Sequence, residues 1–592
     1  MASGRPLRIA NMSGYFGDRF EAAREILEKG EIDVLTGDYL AELTMLILWK
    51  LKQRDPAAGY AATFQRQIAG LLGLCLEKGV KIVSNAGGLN PKGLAEAIGA
   101  QARDLGLSPR IAYIDGDDVV ERLDEFVASG HGLEHLDTGR PFADLGKEAV
   151  TANAYLGGWG IKEALDRGAD IVICPRVTDA ALVVGPAAWA FGWARDDWDR
   201  LAGAVVAGHV LECGAQATGG NFSFFQDVPQ GALPGFPIGE IRADGSCVIT
   251  KAQGTGGMVS VDTVSAQILY EIQGPRYANP DVVTRFDSIK LLQDGPDRVL
   301  ISGVRGAPAP AEAKVAINYV GGYRNEMTMV LTGLDIEKKA ALAEHSLRLL
   351  WGDTVFEELE FDLWRSDRPD PETNEQACAL LRVTVKDSDK ARAGRTFSDA
   401  FVQAALSSYP GFFLTSPPGQ ASEYGVYWPA LIPADLVPHR VTLWDGETID
   451  IPPAPTGPEP ASNPPLAPLP ASLEGDPAVD VALGRLFGTR SGDKGGNANI
   501  GVWARDTEAF VWLDGYLSVT RLKALLPDLA SFTIHRYPLP NLNAINFVVV
   551  GLLGEGVASS TRMDRQAKGL GEYLGCKTIR VPEWLAATRR KG

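Results

Sequence analysis

The chain has 592 residues, 45% of them hydrophobic and 22% charged, with a formal net charge of −17. These are globular values, and the length calls for two or three domains rather than one core. The acidic balance argues against nucleic acid as a partner, because a phosphate-backbone binder presents a basic face.

Cys75, Cys174, Cys213, Cys247, Cys378 and Cys576 are scattered, with no CxxC pair. Neither a disulfide framework nor a structural zinc site is expected, and a reducing compartment fits best. The opening "MASGRPLRIANMSGYFG" lacks the apolar segment of a secretory signal, and no run of about 18 apolar residues occurs. A cytoplasmic protein with no membrane association is expected.

The first 190 residues repeat one theme: a short apolar run, a polar turn, then an amphipathic helix. "LRIANMSGYFGDRFEAAREILEKG" reads as a strand near 7–11 and a helix from about 18 to 29. In "IDVLTGDYLAELTMLILWKLK", Thr36 and Asp38 are candidate helix caps. "VKIVSNAGGLNPKGLAEAIG", "RIAYIDGDDVVERLDEF" and "GADIVICPRVTDAALVVG" complete five units. Alternating strands and helices predict a mainly parallel sheet covered by helices. In such sheets ligands bind outside the carboxyl ends of the strands. The intervening turns bring Arg19, Asp38, Asn85, Asp117, Asp118, Arg176 and Asp179 towards that edge. Each alone is also explained as a helix cap; five consecutive polar turns predict a ligand cleft.

From about 200 the pattern becomes mixed α and β. A hairpin is expected at "ADGS", helices near 261 and over 335–352, and a strand over 379–386. The proline-rich stretch 452–478 is expected to be a linker. It divides a large α/β domain (1–451) from a small α+β, ferredoxin-like domain (479–592). In the small domain, "RSGDKGGNANIG" (490–501) is read as a loop between strands. Its glycines allow close backbone approach, while Arg490 and Lys494 bring positive charge to an acidic chain. The loop is expected to dock on the large domain's cleft, with either cation meeting a carboxylate or a ligand anion. A solvated hairpin loop with a local Asp493–Arg490 pair is the plainer alternative.

No nucleotide motif is complete. "RSGDKGG" lacks the Gly-Lys-Ser/Thr of a phosphate loop, and "GGWG" (157–160) carries Glu163 where a dinucleotide fingerprint needs its third glycine. His209 and Cys213 share a helical face at i, i+4, the spacing of a base and a thiol nucleophile. A buried helix with an incidental cysteine explains the same pair. Asp38, Asp117 and Asp118 would suit Mg²⁺ if their turns are neighbours, but no cofactor is expected.

"TGDYLAELTM", "SNAGGLNP", "ICPRVTDAAL", "GHVLECGAQATGGNF" and "EIQGPRYANPDV" together resemble the acyclic terpene utilisation family, the AtuA-like proteins. "RSGDKGGNANIGVWAR" resembles the small ferredoxin-like domain that accompanies it. The resemblance covers roughly 5–445 and 480–585. It implies breakdown of citronellol- and geraniol-type acids as CoA thioesters beside a biotin-dependent acyl-CoA carboxylase, and it supplies no catalytic residue set.

Three readings follow. The first is a hydratase or lyase acting beside the carbonyl of a branched carboxylic acid or acyl-CoA. Asp38, Asp179 and His209 would move protons, while Arg19, Asn85, Arg176 and the amides of Gly87 and Gly88 hold an oxyanion or phosphate. The second is a thioester or phosphate-ester hydrolase using Cys213 or an aspartate-bound metal. The third is a non-catalytic partner of an acyl-CoA carboxylase. A homo-oligomer is the ordinary expectation for such a protein.

Overall fold

The structure, a computed structural model, describes residues 4–457 and 478–587. Most of the expected linker, residues 458–477, lies outside the described residues.

An eleven-stranded sheet organises the first part of the chain. Its centre is parallel: Leu7–Asn11, Val34–Gly37, Lys81–Ser84, Ile171–Ile173 and Ile111–Asp115 lie side by side in that order. Their side chains alternate between two cores, as the two-residue period of a strand requires. Val34, Val83 and Val172 face one core with the helices Trp159–Asp166, Ala181–Phe191 and Trp198–Leu211. Leu35, Ile82 and Ile173 face the other with the helices Glu21–Lys29, Ala62–Ala69 and Pro91–Asp104.

The flanks are antiparallel. The "ADGS" hairpin, Pro237–Ile241 and Cys247–Lys251, joins one side, and Arg440–Thr442 with Thr448–Asp450 joins the other. The mainly parallel character thus belongs to the five central strands. The return of residues 440–450 to a strand more than 300 positions earlier is a long-range pairing with no local signal.

One local expectation changes in a way that matters. The second helix starts only at Glu42, with Ala41 at its N-cap and Thr44 Oγ1 accepting from the Ala41 amide at 3.1 Å. Thr36 lies in the strand, and Asp38 caps nothing. Its Oδ1 instead accepts from the Leu40 amide at 3.2 Å and from Asn85.

Residues 478–587 form the ferredoxin-like domain. Its antiparallel sheet runs Gly488–Lys494, Asn497–Trp503, Ala544–Val549, Ile534–Leu539. Ile500 and Phe547 pack on Leu513, Leu522 and Leu574 of the covering helices. The stretch read as a loop is a strand and tight turn. Lys494 pairs with Asn497, and Gly495 turns the chain at φ +62°, a left-handed conformation that glycine adopts without penalty.

By compactness the chain divides otherwise than at the proline-rich stretch. Residues up to Asn318 and from Tyr427 onward form one unit, and Tyr319–Val426 another. Within the first, Trp503, Leu539 and Leu542 of the ferredoxin-like domain join the core around Val205 and Leu269. The second has its own sheet, Glu358–Trp364 against Cys378–Asp387 against residues 323–332, covered by the helices Ile336–Trp351 and Phe397–Ala404. Trp351 stacks on Phe397 at 5.8 Å in its core.

Candidate active site

The turns after three parallel strands build the floor of the site. Asp38 follows Val34–Gly37, Asn85 follows Lys81–Ser84, and Arg176 follows Ile171–Ile173. Asn85 Nδ2 donates to Asp38 Oδ1 at 2.6 Å, and Asn85 Oδ1 accepts from the Tyr39 amide at 2.8 Å. Arg176 donates to the Leu40 carbonyl and, at 3.2 Å, to the Tyr155 hydroxyl, with its guanidinium over the Tyr155 ring. Its other terminal contact is Asp179 at 3.7 Å. Asp38, Asn85 and Arg176 are all buried.

One wall is the carboxyl end of the apolar helix Trp198–Leu211. Asn11 Nδ2 donates to the Leu211 and Glu212 carbonyls at 2.9 and 2.8 Å, satisfying the helix end from the neighbouring strand. That end presents His209 and Glu212, with His209 Nδ1 2.9 Å from Glu212 Oε1 but without hydrogen-bond alignment. Glu271, just beyond the helix Val261–Ile268, and Tyr277 add to the cluster. Lys494, at the tip of the ferredoxin-like hairpin, interacts electrostatically with Tyr277, Glu271, Glu42 and Asp179.

Burial sets the protonation states. It pushes the carboxyls of Asp38 and Glu212 well above the usual range, and the nearby Asp179 charge adds to both shifts. Burial, and then Lys494, pushes His209 down to about 4, so its imidazole is neutral. Burial disfavours the charge of Lys494, but Tyr277, Glu271, Glu42 and Asp179 outweigh it and the ammonium is retained. Arg176 keeps its charge for the same reason, against burial, through Tyr155, Asp179 and Asp38. Two cations and two carboxyls with raised pKa thus share one largely buried cluster, the kind of charge arrangement that recurs at functional sites. Asp179 Oδ1, Glu212 Oε2, His209 Nε2, Gln216 Oε1 and Gln267 Oε1 find no hydrogen-bond partner among the described residues.

Residues 7–443 match the model of the acyclic terpene utilisation family protein AtuA, and residues 481–580 match that of the AtuA ferredoxin-like domain. The chain belongs to the AtuA family. No curated protein matches it. No helix among the described residues is long and apolar enough to cross a membrane.

In this AtuA-family chain, Asp38, Asn85, Arg176, Asp179, His209 and Lys494 come together. Other candidates do not serve as expected. The amides of Gly87 and Gly88 donate to the carbonyls of Cys174 and Asn85 at 3.0 and 3.2 Å, so they offer nothing to an oxyanion. Arg19 bonds Glu25 and the Pro234 carbonyl and lies over Phe236, a structural anchor. Arg490 docks the hairpin, donating to the Asn221 carbonyl at 2.9 Å and covering Tyr270; no Asp493–Arg490 bond occurs among the described residues. Cys213 lies past the helix end, and burial with the adjacent Glu212 raises its thiol, the opposite of an activated nucleophile. Asp117 is tied up by Asn153 Nδ2 at 2.8 Å and the Arg176 amide at 3.2 Å, and no metal-holding group of three or more His, Cys, Asp or Glu occurs among the described residues. Glu42, Glu271 and Tyr277 were not anticipated. Their proximity arises from packing between distant segments, and no spacing in the sequence signals it.

Proposed function

We propose that the protein is an enzyme of acyclic, branched carboxylic acid breakdown that moves a proton beside its substrate's carbonyl, in a hydration, dehydration or carbon–carbon cleavage step. The substrate is a free acid or its CoA thioester. The observation that carries this reading is the gathering of the buried Arg176, 3.7 Å from Asp179, and the half-buried Lys494 with the buried carboxyls of Asp38 and Glu212, both of which burial pushes up. The cations attract a carboxylate or thioester oxygen and stabilise the negative charge that grows there as an α-proton leaves. A carboxyl whose pKa burial raises, such as Asp38, donates a proton, and the neutral imidazole of His209 accepts one. Family membership supports the acyclic terpene setting.

The raised thiol of Cys213 weighs against a cysteine hydrolase. The test is incubation in D₂O with branched acids and their CoA thioesters, followed by NMR and mass spectrometry of the recovered substrate. Deuterium at the α-carbon, or a hydrated or cleaved product, is the expected result. Tight binding of these compounds with neither exchange nor turnover would reject proton-transfer chemistry and favour a non-catalytic binding role.

A further inference from the structure

Glu271 is a non-glycine residue in the left-handed region, at φ 57°. A glutamate, unlike glycine, asparagine or aspartate, is uncommon there and needs something that holds the backbone. Here the hold comes from the ferredoxin-like sheet. The Glu271 amide donates to Asn499 Oδ1 at 3.0 Å, and Asn499 Nδ2 donates to the Leu269 carbonyl at 2.7 Å. Asn499 Nδ2 also donates to Asn546 Oδ1 at 2.9 Å, and Asn546 Nδ2 donates to the Ile272 carbonyl at 3.0 Å. Between them, Tyr270 is gripped by Lys568 Nζ on its hydroxyl at 2.8 Å and by Arg490 over its ring.

Both asparagines are essentially fully buried. A buried amide is tolerated when each of its polar groups finds a partner, and these two direct theirs at three backbone groups of a single turn. The same hairpin carries Lys494, whose charge interacts with that of Glu271.

We propose that Asn499 is a positioning residue, which with Asn546 locks the Leu269–Ile272 turn so that the Glu271 carboxylate stands opposite Lys494. The inference rests on reading this cluster as the active site. The ferredoxin-like domain would then shape the site twice, by supplying Lys494 and by aiming its counter-charge.

The test is reductive methylation of the full chain, with the rate at Lys494 followed by peptide mass spectrometry. Glu271→Gln removes the counter-charge and is expected to speed labelling severalfold, because more of the lysine is then unprotonated. Asn499→Ala is expected to speed it equally. In the double variant, Asn499→Ala should add nothing to Glu271→Gln. An equal acceleration by Asn499→Ala in both backgrounds, or none in either, would overturn the proposal. If Asn499→Ala does not fold, hydrogen exchange of the unaltered protein decides: a protected Glu271 amide supports the lock, and exchange at the rate of unbonded amides overturns it. Neither readout needs turnover, so a failed proton-transfer assay and a failed lock are separate results.

Discussion

Asp38 shows how a single side chain changes role with its surroundings. In a strand-to-helix turn an aspartate ordinarily caps the helix, yet this helix begins four residues later and caps itself through Thr44. Released from capping and desolvated, the carboxyl is pushed up by burial, against the opposing pull of Asn85 and Arg176. If Asp38 is the proton donor proposed above, Asp38→Asn keeps the shape and removes it. Turnover is expected to fall by about 10²–10⁴-fold with little change in KM, as steady-state kinetics would record. Away from the site, Asp281 offers an independent check on burial. It is fully buried, accepts from the Gly158 amide at 2.8 Å, and is pushed up to about 6, by burial first. A carboxyl raised in the folded state contributes stability below its unfolded pKa and loses it as pH rises through the folded one. His439, pushed down to about 3 by burial, works in the opposite direction over an overlapping range. The difference between the parent and Asp281→Asn removes that overlap. Urea unfolding should show the variant gaining on the parent by about 2 kcal/mol as pH rises from 4 to 6.

At the scale of elements, the hairpin Gly488–Lys494 and Asn497–Trp503 does the most for the site. A Cβ on Gly492 would come within 2.3 Å of the Tyr270 ring, so the strand approaches closely only with glycine there. Gly492→Val is expected to push the hairpin off Tyr270, destabilise the protein by about 1–3 kcal/mol and weaken ligand binding, all visible in a thermal-shift titration. The same strand shows what sequence could not reveal. "GTRSGDK" has no apolar alternation, because one face meets the backbone and rings of another segment rather than a core of aliphatic side chains, and it read as a loop. The floor was legible for the opposite reason. Apolar runs such as "VLTG" and "KIVS" announce strands, and Asp38, Asn85, Arg176 and Asp179 follow such runs directly. Glu212, at a helix end, and Glu271, in a left-handed turn, reach the cluster only through tertiary packing. Nothing local to either residue marks it.

Over the whole molecule, the ferredoxin-like domain and the parallel-sheet domain share a core. Trp503 stacks near Phe222 at 6.2 Å and donates to Asp262 at 3.3 Å, Arg505 lies over Phe224, and Asn541 bonds the carbonyls of Phe286 and Ile289 at 2.8 and 2.9 Å. Cleavage within the proline-rich 452–478 is therefore expected to release no free domain under native conditions. The fragment of about 12–13 kDa should separate on a denaturing gel yet co-elute with the remainder in size exclusion. Lys494, from one domain, is proposed to complete an anion-binding site on the other. Isothermal titration of a branched carboxylic acid or its CoA thioester into the parent and Lys494→Met tests it most directly. Binding to the parent that is lost or weakened at least about tenfold in the variant, with the melting temperature little changed, is the expected result. Equal affinity for both proteins would contradict it.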